Sequence, residues 1–146
     1  MIKQHRELFT RVLVDAGPLV AIYRRQDEHH EKCVETLNQI VQPLFTTWPV
    51  IAEAAYLLRD SLVGVEGLLD GPANGLYRIV PLTEDDLPAI SALVRKYRRL
   101  GPQVADISLV HVAGRDSHES VFTLDRRDFS VYRTAAGKSL EIIPKM

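Results

Sequence analysis

The chain has 146 residues, 46% of them apolar and 25% charged, enough to bury one core without staples and ordinary for a globular domain. A single cysteine, Cys33, rules out an internal disulfide and fits a reducing compartment. No apolar run reaches the roughly 20 residues of a membrane helix, and Met1 to Arg11 carries no secretory signal. A cytoplasmic protein is expected, and the net charge of −1 argues against a generally basic nucleic-acid binder.

Met1 to Thr10 reads as a loose lead-in, and residues 11–146 as one domain. Arg11 to Val14 reads as a strand that delivers Asp15 and turns through Ala-Gly-Pro into a helix from Pro18 to Arg25. A second helix is expected from His30 to Ile40, with acids near its start as the helix dipole prefers. After Pro43 comes a short strand, Leu44 to Thr46. Thr47 then caps a helix beginning near Pro49, with Val50, Ala54, Leu57 and Leu58 at helical spacing. A short helix over Val65 to Leu69 and a turn at Gly71 to Gly75 precede a third strand, Tyr77 to Val80.

Thr83 with Asp86 has the form of a helix cap. The helix that follows, to Arg99, is expected to bury Leu87, Ile90, Leu93, Val94 and Tyr97. Gly101-Pro102 ends it. A helix from Gln103 to Gly114, a strand at Val121 to Leu124 and a last strand at Leu140 to Ile143 complete the chain. Strands separated by helices predict an α/β fold, a compact single domain with a central parallel sheet flanked by helices.

Four acids occupy places where burial needs a reason. Asp15 ends the first strand, and Asp125 follows the fourth. Glu53 is the one charge in Pro49 to Leu58, and Asp106 stands alone in Val104 to Val110. Strand ends and the starts of the following helices share one edge of such a sheet, so all four can meet. Singly, each has a plainer role as a helix cap, a dipole partner or a turn residue. Glu53 resists that reading, because no Lys or Arg lies three or four residues away to pair with it.

Two carboxylates about 4 Å apart repel by about 4 kcal/mol at an effective dielectric near 20. A cluster of four must therefore take up protons or cations. Ligation by oxygen alone favours Mg²⁺ or Mn²⁺ over Zn²⁺, and such an ion is the apparatus of phosphodiester hydrolysis.

These residues resemble the PIN-domain ribonucleases of the VapC-toxin kind, from Val12 to the C-terminus. The matching blocks are Val14-Asp15-Ala-Gly-Pro-Leu-Val-Ala, Thr46-Thr-Trp-Pro-Val-Ile-Ala-Glu53, Ala105-Asp106, and Thr123-Leu-Asp125-Arg-Arg-Asp128-Phe129. The resemblance implies a metal-dependent endoribonuclease, the toxin of a type II toxin–antitoxin pair, acting on RNA. It maps Asp15, Glu53, Asp106 and Asp125 onto the acidic catalytic and metal-binding set. Thr123 matches a hydroxyl residue beside the fourth acid, and Asp128 an auxiliary acid. It also implies a homodimer and a cognate antitoxin. One departure is Ala16, where many relatives carry Ser or Thr, and it motivates a second reading: a non-catalytic RNA- or partner-binding module of the same fold. A third reading takes the acids as helix caps alone.

Arg126 and Arg127, next to Asp125, are the basic residues best placed for RNA phosphate. Arg24-Arg25 and Lys96 with Arg98-Arg99 are further basic clusters, equally consistent with solvated helix ends. His29, His30 and Cys33 lack a fourth ligand for Zn²⁺, and Trp48 is read as packing. No phosphate-cradling loop or dinucleotide fingerprint occurs. The Asp two residues after the first that an aspartyl-phosphate phosphatase would need is Gly17 here.

Overall fold

A computed structural model of the protein describes residues 8–145. Residues 1–7 of the expected lead-in lie outside that range. Within it, Phe9 forms a parallel bridge with Ile40, so the chain is already tied to the body at that point.

The fold is α/β, with a five-stranded parallel sheet in the order β3-β2-β1-β4-β5 flanked by helices. The strands are β1 (Leu13–Val14), β2 (Leu44–Thr46), β3 (Tyr77–Ile79), β4 (Ser120–Phe122) and β5 (Glu141–Ile143). β1 is central because its residues are wholly apolar and β-branched or leucine, suited to burial on both faces. Leu13 pairs with Phe45 on one side and Val121 on the other, and both residues of β1 are fully buried.

The helices are α1 (Ala16–Tyr23), α2 (His30–Leu37), α3 (Trp48–Leu57), α4 (Leu62–Leu69), α5 (Leu87–Lys96), α6 (Val104–Asp116) and α7 (Arg126–Val131). Short 3-10 turns at Glu84–Asp86 and Arg98–Leu100 flank α5. The chain runs outward through β1, β2 and β3, then returns to the other side of β1 for β4 and β5. The order of the strands therefore reverses between β1 and β4, and the connections leaving those two strands diverge there. Such a switch point opens a crevice beyond the carboxyl ends of the strands.

Several local expectations need correction. The first strand starts at Leu13, because Arg11 adopts a left-handed φ of 51° and its guanidinium donates to the Asp116 and Ser117 carbonyls at the end of α6. Leu87 is exposed: it opens α5 directly after the 3-10 turn, which turns it away from the core met by Ile90 and Leu93. Trp48 is also exposed, at 62%, so it does not pack in this chain. α7 was not expected; six residues are too few to show a helical period. Among the described residues, no helix is long and apolar enough to cross a membrane.

Candidate metal centre

Each acid reaches the crevice for a local reason. Asp15 leaves β1 in extended conformation and N-caps α1, its Oδ1 accepting the Ala16 N–H at 2.8 Å. Thr123, the first residue after β4, donates its hydroxyl to Asp15 Oδ2 at 2.9 Å and accepts the Asp125 N–H at 3.0 Å. This one side chain joins the ends of β1 and β4 across the switch point. Asp125 in turn N-caps α7, its Oδ1 accepting the Asp128 N–H at 3.1 Å.

Glu53 and Asp106 come from helices whose first turns are locked together. Thr47 precedes α3 as expected, but its hydroxyl makes no capping bond. Instead it lies 2.7 Å from Ser108 Oγ. Ser108 spends its one proton on the Ala105 carbonyl at 2.6 Å, so Thr47 must be the donor to Ser108. That buried contact fixes the start of α3 against the start of α6, and with it the approach of Glu53 to Asp106.

The result is two carboxylate triads that share one member. Asp15, Glu53 and Asp106 each offer an oxygen within 4.8 Å of the others, and so do Asp106, Asp125 and Asp128. They line a cleft of about 570 Å³ together with Gly101, Gln103, Leu57 and Leu124. Gly101 shapes the lip: its φ of 59° lies where a side chain would be strained. Among the described residues, none of the five acids forms a salt bridge.

The electrostatics follow from that isolation. Burial, then the charges of Asp15, Glu53 and Asp125, push the Asp106 carboxyl up to about 8. Burial also raises Asp15 above the usual carboxylate range, against the opposing bonds from Ala16 and Thr123. Glu53 is raised by burial and by Asp15, and Asp128 by burial and by Asp125. Without a cation, Asp106 keeps its proton near neutrality. The cluster's donors are all oxygens, the set that suits a hard divalent ion.

The structure thus gathers Asp15, Glu53, Asp106, Asp125 and Asp128 at one cleft, with Thr123 buried behind Asp15 as its hydroxyl donor. Arg126 and Arg127 do not line it. Arg126 donates to the Pro144 carbonyl beside β5, because consecutive residues of a helix face different ways. Arg127 is exposed on the outside of α7. The zinc reading of His29, His30 and Cys33 finds no support: Cys33 is buried, and His30 Nδ1 lies 2.6 Å from the Ala21 carbonyl at the end of α1.

Sequence reasoning missed Gln103 on the cleft wall and Tyr132 beneath it. The Tyr132 hydroxyl is buried without a hydrogen-bond partner among the described residues. Burial, followed by Asp106, Asp128, Asp125 and Asp15, pushes this phenol above its ordinary value. Edge-on contacts with Tyr97 and Phe129 hold its ring. Its sequence neighbours Val131 and Arg133 gave no sign that it lies near Asp15 and Asp106 from distant segments.

Comparison with known proteins agrees with this geometry. The family model described as PIN domain matches residues 12–135. Ribonuclease VapC26 of Mycobacterium tuberculosis is 26% identical over 136 residues, covering 91% of this chain and 100% of that protein. The crystal structure of Mycobacterium tuberculosis VapC20, described as a sarcin–ricin loop cleaving toxin, is similar with a TM-score of 0.66. That match covers 75% of this chain and 86% of the other at 17% identity, a likeness of fold.

Proposed function

The chain belongs to the PIN domain family, and from that premise we propose that it is a metal-dependent endoribonuclease hydrolysing RNA phosphodiester bonds. The observation that carries this reading is the pair of oxygen triads meeting at Asp106, with no salt bridge to any of their acids among the described residues. The descriptions of the two relatives, a ribonuclease and a toxin that cleaves an RNA loop, support the substrate class.

Asp15, Glu53, Asp106 and Asp125 hold Mg²⁺ or Mn²⁺ in this reading, with Asp128 as an auxiliary acid on the second triad. The ion, when bound, supplies water activation and charge neutralisation at the phosphate. The chain's own part is positional. Thr123 and the Ala16 N–H each occupy one lone pair on a different Asp15 oxygen, which fixes the carboxylate plane while leaving both oxygens able to accept again. Ala16 contributes this N–H whatever its side chain, so the missing hydroxyl at that position does not unseat Asp15. Leu57 and Leu124 give the cleft apolar walls, and Gln103 offers an amide to a phosphate oxygen or a ribose hydroxyl.

The biological setting follows from the same kinship: the toxin of a type II toxin–antitoxin pair, cytoplasmic, homodimeric and silenced by a cognate antitoxin. The test is RNA cleavage by the purified protein. Cutting that needs Mn²⁺ or Mg²⁺ and disappears in Asp106→Asn supports the assignment; metal-independent cutting, or full activity in that variant, refutes it.

A further inference from the structure

The segment from Lys96 to Gln103 and helix α7 face each other along a seam. At one end of the seam, Gly101 and Gln103 face Asp125 and Asp128 across the acid cleft. At the other, a hollow of about 370 Å³ is lined by Lys96, Tyr97, Arg98, Arg99, Leu100 and Val131. The cleft is lined by five carboxylates and no cation, the hollow by three cations and no carboxylate. The change of sign happens along a single helix of six residues.

Lys96, Arg98 and Arg99 are exposed, and none pairs with an acid among the described residues. Lys96 sits in the last turn of α5, where a cation offsets the helix dipole. Arg98 also serves that helix end, donating to the Arg95 carbonyl at 3.1 Å, whereas Arg99 lies beyond the helix and the dipole does not account for it. The acids of the same segment, Glu84 to Asp86, are at the opposite end of α5, about 15 Å away along ten residues. The floor of the hollow is rigid. Tyr97 is buried, packs edge-on against Tyr132, and its hydroxyl accepts the Arg133 N–H at 2.7 Å. Its ring therefore supports the cations, with Lys96 Nζ 5.2 Å from the ring centre.

We infer that this hollow is an anion subsite that seats an RNA backbone phosphate flanking the one at the acid cleft. The inference rests on the nuclease reading for its choice of polyanion. The length of α7, about 9 Å for six residues, is several times a metal–oxygen bond of about 2 Å. The phosphate in the hollow is thus a different one from that at the carboxylates. A strand spanning both places has one phosphate held by point charges and another delivered to the acids, which fixes register without reading a base.

The experiment measures binding of a short fluorescein-labelled single-stranded RNA by anisotropy as a function of salt. It uses Asp106→Asn protein as the non-cleaving background. Adding Lys96→Ala, Arg98→Ala and Arg99→Ala removes the cations around one phosphate and is expected to reduce the slope of log K against log salt by about 0.7, the value for one lost phosphate contact on a single strand. A control variant, Arg25→Ala with Arg78→Ala and Lys138→Ala, removes the same charge elsewhere and is expected to leave the slope near its starting value. An unchanged slope in the first variant overturns the subsite, and so does an equal drop in both. Displacement of the RNA by polyglutamate at equal charge concentration would assign the hollow to acidic polypeptide and overturn it too. Mn²⁺ titration of the hollow variant with Asp106 intact is expected to match the parent protein, showing that the cleft still forms. If the native protein cleaves RNA and the slope does not move, the subsite falls alone. If the slope moves and native protein with Mn²⁺ never cleaves, the nuclease reading falls and the subsite stands.

Discussion

The two ends of α6 solve the same electrostatic problem in opposite ways. At its start, Asp106 meets four other carboxylates and, among the described residues, no cation pairs with it; burial and those charges push its carboxyl up to about 8. At its far end, Asp86 from the 3-10 turn that precedes α5 is met by His111 Nε2 at 2.8 Å and Arg115 at 2.9 Å, and it accepts the Thr83 N–H at 2.8 Å. Those partners, His111 first, hold the Asp86 carboxyl well below the usual carboxylate range. Arg115 also clamps Asp116. One end is neutralised from within the protein, the other left for something from outside. The fold pairs its acids at one end of α6 and leaves five together at the other, which is why the proposed reading places the working site there.

The contrast breaks most readily at the acid end. Asp15→Asn and Asp106→Asn are each expected to lower metal-dependent RNA cleavage by more than the 10–100-fold typical of changes behind the metal ligands. Ion-free Asp106→Asn should also melt no lower than the parent protein, because it removes a charge held against repulsion. A variant that cuts RNA normally would show that the triads are not the working site.

Thr123→Val comes next. It keeps the shape and leaves the Asp125 N–H unpaired and Asp15 without its hydroxyl donor. Mn²⁺ affinity, read by calorimetry, should fall about 10–100-fold, and stability by about 1–3 kcal/mol. Unchanged affinity would mean that the carboxylate does not need its bridge.

The paired end should respond in stability alone. Asp86→Ala removes the partner of His111 and Arg115, so the melting temperature should drop while Mn²⁺ affinity holds. The two ends also titrate in opposite senses. The contribution of Asp86, whose folded value is depressed, is complete above its unfolded value and is lost as pH falls below it. The contribution of Asp106, whose folded value is raised, is complete below the ordinary value of 3.8 and is lost as pH rises toward about 8. Thermal melts of ion-free protein should therefore decline from pH 5 to pH 8, and Mn²⁺ should cancel the decline.

The smallest expected effect is at Tyr132. Tyr132→Phe deletes a buried hydroxyl with no partner among the described residues, so ion-free protein should keep its stability or gain about 1 kcal/mol. A loss would place a bonding partner on that oxygen.

Much of this site was legible in the chain because each of Asp15, Glu53 and Asp106 is a lone charge in an apolar stretch. The break at Pro43 also placed β2 at its observed ends, and alternating elements implied the parallel sheet. What escaped was set by contacts between segments remote in sequence. Thr47 has the form of a cap and serves instead as a donor to Ser108, 61 residues away. Arg126 neighbours Asp125 in the chain and yet turns to Pro144, a consequence of the short helix α7 that no pattern announced. The hollow at Lys96 to Arg99 needed Val131 opposite it before the cations enclosed anything.

The most direct test is calorimetric titration of Mn²⁺ into the ion-free protein at pH 7, repeated in buffers of different ionisation enthalpy. With the Asp106 carboxyl near 8, an ion entering the triads must displace about one proton, so the apparent enthalpy should change with the buffer, and Asp106→Asn should abolish that change. Mn²⁺ uptake with no proton release, or no uptake at all, would contradict a cleft whose carboxylates await a cation.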